Sequence, residues 1–222
     1  MPHFQATVYR PDRVKLKQQP SCPRSNQYYR TRSVSFLRAF IGIDFNDEIK
    51  NEILAIQDKL KPHTVSGRWK SFDDLHLTLK FMGEIGSGPL EPINDAMKAV
   101  AKHVKPFSLS LADFWTYDDK DLMRFLWLGL AGDLVALRNL QAAVDMALEP
   151  LGYPAEKRGF APHVTLGQDL VFKTEFEDVK AALGPVQIKD MTVHWLVLFA
   201  SEETEGRRVY RKIAEYPLAT NP

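Results

Sequence analysis

Apolar residues recur in two rhythms between residues 38 and 217, and the switches between them mark the elements. Ala39 to Phe45 (AFIGIDF) is an unbroken apolar run that reads as a buried strand. Asn46 then has the character of a helix N-cap, with Asp47 and Glu48 placed to favour the first turn. Ile49, Ile53, Ile56 and Leu60 follow at helical spacing up to Pro62. A short strand is expected over Gly67 to Phe72 and a longer one over Leu75 to Met82. Pro89 then opens a helix carried by Ile93, Met97, Val100 and Val104. Phe107 to Tyr117 and Leu122 to Leu130 read as a hairpin. Asp133 caps a second long helix (Leu134, Leu137, Leu140, Val144, Leu148), and a loop follows from Pro154 to Phe160. After a strand beginning near His163, Phe176 to Leu183 forms a short helix stopped by Gly184-Pro185. Val186 to Ala200 and Arg207 to Pro217 close the chain as an antiparallel pair.

Helices, strands and a histidine-bearing strand thus occur in each half. This grammar predicts an α+β fold of two pseudo-symmetric lobes, with antiparallel sheets lining a central cleft and helices packed outside. Residues 38–222 form that bilobal domain. Residues 1–37 lack apolar periodicity and hold seven Lys/Arg against Asp12, whereas the remainder has 22 basic and 27 acidic residues. The first 37 residues therefore read as a basic, disordered leader. It is either a translated upstream stretch with the start near Val34 or Leu37, an organelle-targeting segment, or an arm for nucleic acid. The slightly acidic body excludes a general polyanion binder, so positive charge for a phosphate substrate must be concentrated at a site. Cys22 is the only cysteine, which excludes an internal disulfide and a cysteine-built zinc site. No apolar run reaches membrane-helix length. A monomer in the cytoplasm is the expectation.

The chemistry lies in a tetrapeptide that occurs twice, HLTL at His76–Leu79 and HVTL at His163–Leu166. In a strand, His76 and Thr78 share one face and Leu77 and Leu79 the other; His163 and Thr165 oppose Val164 and Leu166 in the same way. Each strand lays an apolar edge on a core and offers imidazole plus hydroxyl to a cleft. Two imidazoles suit displacement at phosphorus, one taking a proton from the attacking oxygen and one giving a proton to the leaving oxygen. The threonine hydroxyls are placed to donate to non-bridging phosphate oxygens. A zinc site would need a third ligand, and no acid shares either motif's face, so neither metal nor cofactor is expected. His3, His63, His103 and His194 read as structural or surface residues.

The chain resembles the two-histidine phosphoesterases, and among them the RNA 2′,3′-cyclic phosphodiesterases, also called 2′-5′ RNA ligases. The resemblance rests on RAFIGIDF (38–45), Arg68-Trp69, LHLTLKFMG (75–83), LWLGL (126–130), EKRGFAPHVTLGQ (156–168) and VYRKIAEYPL (209–218). It implies hydrolysis of a terminal 2′,3′-cyclic phosphate on RNA to a 2′-phosphate. His76 would then be the donor to the leaving 3′ oxygen and His163 the acceptor that activates water. Thr78 and Thr165 would hold the phosphate, and the reverse reaction would form a 2′-5′ linkage. Many relatives carry an arginine after the second motif where this chain has Gly167-Gln168. Gln168 still offers a hydrogen bond, and Arg158, Lys80, Arg124, Lys157, Arg207 and Arg208 are the cations that could replace the lost charge. Arg158 is the preferred one, with Phe160 as a base-stacking residue. Small cyclic nucleotides are the rival substrates, and a non-catalytic nucleotide- or RNA-binding module is the rival class.

Overall fold

In the computed structural model, residues 37–86, 90–119, 122–186, 188–204 and 207–219 are described. Nearly all of the expected leader lies outside them, although Leu37, its last residue, opens the first strand. The strands are β1 (Leu37–Asp44), β2 (Thr64–Trp69), β3 (His76–Ile85), β4 (Phe107–Asp119), β5 (Leu122–Gly132), β6 (Val164–Phe172), β7 (Met191–Val193), β8 (Trp195–Thr204) and β9 (Arg207–Pro217). The helices are α1 (Asp47–Leu60), α2 (Leu90–Ala101), α3 (Leu134–Leu148) and α4 (Phe176–Leu183). One sheet has the order β3-β1-β8-β9 and the other β2-β6-β5-β4-β7, and every neighbouring pair is antiparallel. The α+β class with two antiparallel sheets holds. The lobes, however, are not the two halves of the chain. β2 crosses from the first half into the second sheet, and β8 and β9 return from the second half to the first.

Both long-helix caps form as the sequence suggests. The Asn46 side chain accepts from the Ile49 amide at 2.9 Å, and Asp133 accepts from the Ala136 amide at 2.9 Å. α2 packs on α3 and reaches β8 and β9, while α3 lies against β3 and β4. A continuous apolar core unites the sheets, with Leu77, Leu79, Val164 and Leu166 all buried in it. Burial of each such side chain stabilises the fold by roughly 1.5–3 kcal/mol. That gain fixes the register of both motif strands, because a one-residue slip would exchange these side chains for His and Thr.

Two expected strands change their bounds most. The span Val186 to Ala200 is not one strand. Met191 and Val193 are buried, His194 and Trp195 are both exposed, and Leu196 is buried again. The alternation slips by one at His194, where the chain leaves β4 and joins β1 and β9. β2 starts earlier than expected and ends at Trp69, because Ser71 initiates a tight turn. Its hydroxyl donates to the Asp74 carboxylate at 2.7 Å, and its carbonyl accepts from the Asp74 amide at 3.0 Å. This turn delivers the chain into β3 at His76.

β1 and β3 approach tightly at Gly42, where an added Cβ would lie 2.6 Å from the Leu77 carbonyl oxygen. Gly42→Ala should therefore force the first motif strand away from β1 and destabilise the protein by about 1–3 kcal/mol. Urea denaturation measures this; an unchanged midpoint would mean that the contact relaxes freely.

Candidate active site

His76 stands at the first residue of β3 and His163 immediately before β6, so both imidazoles sit at strand entrances. β1 sets the face of the first motif: Asp44 lies opposite His76, and Gly42 lies opposite Thr78. Phe40 belongs to the same face, and its ring packs 4.6 Å from the His76 ring. Tyr210 meets His76 edge-on at 4.8 Å, and Phe199 lies 5.5 Å away. His163 has a matching aromatic support, the Trp127 ring at 4.6 Å. Thr165 is directly opposite Trp127 across the β5–β6 ladder.

Only one of the two rings is also held at Nδ1. Nδ1 of His163 is 2.9 Å from the Ala161 carbonyl oxygen, two residues upstream. A proton on Nδ1 satisfies that contact and leaves Nε2 to the cleft. At His76 the equivalent carbonyl is that of Asp74, which raises the pKa. Nδ1 of His76 nevertheless makes no hydrogen bond of normal geometry, so the Asp74 carbonyl acts as a nearby dipole.

Burial lowers the pKa of both rings. His76 is brought down to about 4 by desolvation, with a further push from the Lys70 cation; the Asp74 carbonyl and the Asp74 and Asp44 carboxylates only partly offset this. His163 is lowered by desolvation and partly restored by the Ala161 carbonyl. Both imidazoles are thus neutral at pH 7 in the free cleft. Because the folded pKa of His76 lies below the usual 6.5, the unfolded chain takes up the proton first on acidification. The stabilisation from keeping this ring neutral is complete above about pH 6.5 and is lost as pH falls toward 4, amounting to roughly 3 kcal/mol. His76→Phe, which suits the aromatic nest, should flatten stability across that window. Urea midpoints at pH 7 and pH 4.5 test this, and an unchanged difference between them would refute it.

One hollow of about 430 Å³ is lined by Thr78, Lys80, Asp145, Arg158, Phe160 and His163, among others. The first motif thus meets the second in a single cavity, and β3 and β6 are in contact. Lys70, which acts electrically on His76, lines a second hollow with Arg68, Gln168 and Arg208. His76 itself lines neither hollow; Thr78, two residues along its strand, lines the first.

The expected substrate-binding residues divide accordingly. Arg158 is exposed and lines the first hollow. Phe160 lines it too while packing against the core. Lys80 lines it but is not a free cation. Its ammonium, on a side chain only 3% exposed, is 2.7 Å from Asp145 Oδ1 and donates to the Pro154 carbonyl at 2.5 Å. A buried ammonium needs such partners, so Lys80 ties β3 to α3 and to the loop before the second motif. Gln168 belongs to the second hollow instead. Arg124 pairs with Asp169, as does Arg68.

Gln57 was not singled out from the sequence. It is fully buried on α1, and its amide donates to the carbonyls of Lys70 at 3.0 Å and Leu166 at 3.1 Å. It thereby pins the end of β2 to the second motif. Its signal was a polar residue inside the apolar stripe of Ile49, Ile53, Ile56 and Leu60. Among the described residues, no three His, Cys, Asp or Glu side chains converge as a metal site, and no helix is long and apolar enough to cross a membrane.

Two antiparallel sheets that join paired His-x-Thr strands at one cavity define a phosphoesterase scaffold of the two-histidine class. Residues 43–127 and 131–210 match the model of the LigT-like phosphoesterases, and the chain belongs to that family. It is 30% identical over 183 residues to the RNA 2′,3′-cyclic phosphodiesterase of Geobacillus stearothermophilus, covering 82% of this chain and 58% of that relative. The enzyme of the same name from Methanothermobacter thermautotrophicus is 26% identical, over 82% of this chain and 99% of the relative. The crystal structure of Escherichia coli LigT in apo form superposes with a TM-score of 0.65 at 26% identity, covering 83% of this chain and 99% of LigT. A Thermus thermophilus protein, at 21% identity, shares the fold with a TM-score of 0.69 over 82% of this chain and 97% of its own.

Proposed function

We propose that this protein opens 2′,3′-cyclic phosphate ends of RNA to 2′-phosphates by paired-histidine acid–base catalysis. The observation that carries the reading is the cavity shared by Thr78 of one motif and His163 of the other. The curated relatives named RNA 2′,3′-cyclic phosphodiesterase support the substrate, and E. coli LigT, 25% identical, has been crystallised with 3′-AMP.

In the proposed reaction, His163 takes a proton from water as its oxygen attacks phosphorus. The bond to the 3′ oxygen breaks, and His76 supplies the proton that makes it a hydroxyl. Thr78 and Thr165 donate to the non-bridging oxygens, where charge accumulates. His76 is neutral in the free cleft, so its proton must be taken up with the substrate: the phosphate anion beside it stabilises imidazolium and raises its pKa. Run in reverse, the same groups would join a 5′-hydroxyl to the cyclic phosphate and form a 2′-5′ linkage. The reading includes action as a monomer in the cytoplasm.

An oligonucleotide ending in 2′,3′-cyclic phosphate, incubated with the protein in EDTA, tests the proposal. Opening at an undiminished rate is expected, since protons rather than a Lewis acid carry the steps. Activity lost on chelation and restored by zinc or magnesium would remove the scheme. Opening of mononucleotides alone would favour a small-molecule phosphodiesterase, and no opening would favour a binding module.

A further inference from the structure

The open face of the second sheet carries two cross-strand rows beside the second motif. One runs from β2 to β4 as Arg68, Gln168, Phe125 and Tyr117. The next runs through Thr165, Trp127 and Trp115. Residues directly opposite in a ladder project to the same side, so both rows share the face of Thr165. The Phe125 and Trp127 rings are 5.5 Å apart and 18° from parallel, and Tyr117 lies 6.5 Å from Trp127 at 21°. His163 ends this stack. None of the four aromatics is fully buried, and Trp115 is 48% exposed. Contiguous, partly exposed rings of this kind mark an interaction surface.

Cations flank the rings. Gln168 and Arg68, the latter paired with Asp169, share the second hollow with Lys70, Arg208 and the carboxylates of Asp73 and Asp74. The half-buried Lys70 is pushed down in pKa by desolvation and by the like charges of Arg68 and Arg208, with Asp74 opposing. The Asp74 carboxylate is already engaged by Ser71. Among the described residues, neither Lys70 nor Arg208 has a carboxylate within ion-pair distance, and Arg208 donates only to the Ser201 hydroxyl at 3.2 Å. Cations beside partly open aromatic rings are what a single-stranded nucleic acid needs, phosphate against charge and base against ring.

We propose that this face is a track for single-stranded RNA that takes the nucleotides 5′ of the one bearing the cyclic phosphate. Their bases stack on Phe125 and Tyr117, and their backbone phosphates lie against Lys70 and Arg208. Charge complementarity and continuity with His163 select this occupant. The inference rests on the paired-histidine reading and gives it a substrate class, an oligonucleotide in preference to a mononucleotide.

The test compares kcat/KM for a nucleoside 2′,3′-cyclic phosphate with that for a trinucleotide bearing the same end. The intact protein should prefer the trinucleotide by about tenfold or more, as one or two stacked bases allow. Phe125→Leu with Tyr117→Leu should remove most of that preference while turnover of the mononucleotide persists, which also shows that the variant is folded. A preference near one in the intact protein, or one that survives the double substitution, overturns the track. A fluorescent trinucleotide ending in 2′-phosphate supplies a binding readout independent of turnover. Arg208→Gln, at an exposed position, should weaken its binding and lower its salt dependence; no change in either overturns the phosphate assignment, even if the double variant fails to fold. If the intact protein opens neither cyclic substrate, the catalytic reading fails and this binding arm alone decides the track. A dimer that dissociates on the double substitution, with RNA discrimination unchanged, would assign the face to a second copy and overturn the proposal.

Discussion

His76→Ala and His163→Ala should each cost about 10² to 10⁴ in turnover of a cyclic phosphate while leaving the protein folded. The two groups act in one displacement, so the double variant should be only slightly slower than the slower single one. The variants should part on a substrate whose leaving oxygen is already acidic. A nitrophenyl ester departs without a proton, so loss of the donor His76 should be partly forgiven there. Loss of His163 should not be, because water still needs its base. Equal losses on natural and activated substrates would show that the roles are not divided in this way. The pH profile adds a check on the same assignment. In kcat/KM the limb due to His76 should lie near pH 4, its value in the free protein. In kcat it should move upward, because the bound anion stabilises imidazolium. A limb that stays in place would mean that the substrate's charge does not reach the ring.

Lys80→Met should destabilise the protein by about 3 kcal/mol, as loss of one partner strands the other charge in a poorly solvated site. For a chain of this size that is a fall in Tm of roughly 6–12 °C. Asp145 keeps a hydrogen bond from the Gln141 amide at 2.6 Å, which cannot replace the lost cation. Adding Asp145→Leu should recover much of the loss, since it removes the stranded carboxylate. A substrate-binding lysine would behave differently: KM would rise, Tm would hold, and the second substitution would rescue nothing. Thermal denaturation and mononucleotide kinetics on the two variants distinguish these outcomes.

The contrast between Lys80 and the motif residues explains what was legible in the sequence. Strand alternation placed His76 and Thr78 opposite Leu77 and Leu79 because period-two patterning is local, and caps at Asn46 and Asp133 were local for the same reason. Lys80 has the parity of His76 and Thr78, and so read as a cleft residue. Its fate depends on Asp145, far along the chain on α3, and no short pattern records that pairing. The exchange of β2, β8 and β9 between sheets is hidden in the same way, although the slip of alternation at His194 and Trp195 was present to be read. Of the candidate site, the motif faces and Arg158 were foreseeable. The aromatic nest of Phe40, Phe199 and Tyr210 was not, since rings drawn from three strands resemble ordinary core until the sheet order is known.

That exchange of strands also bears on how the cleft can move. The chain passes from one sheet to the other after β1, β2, β3 and β7, and Gln57 grips β2 and β6 from within the core. Each passage is a covalent tether between the sheets. A pair of lobes linked by one connector swings open like jaws, whereas lobes laced together at several points keep a fixed gape. Selection among substrates then falls to the contour of a standing aperture, and neither half of the chain, expressed alone, would hold a complete set of strands for either sheet.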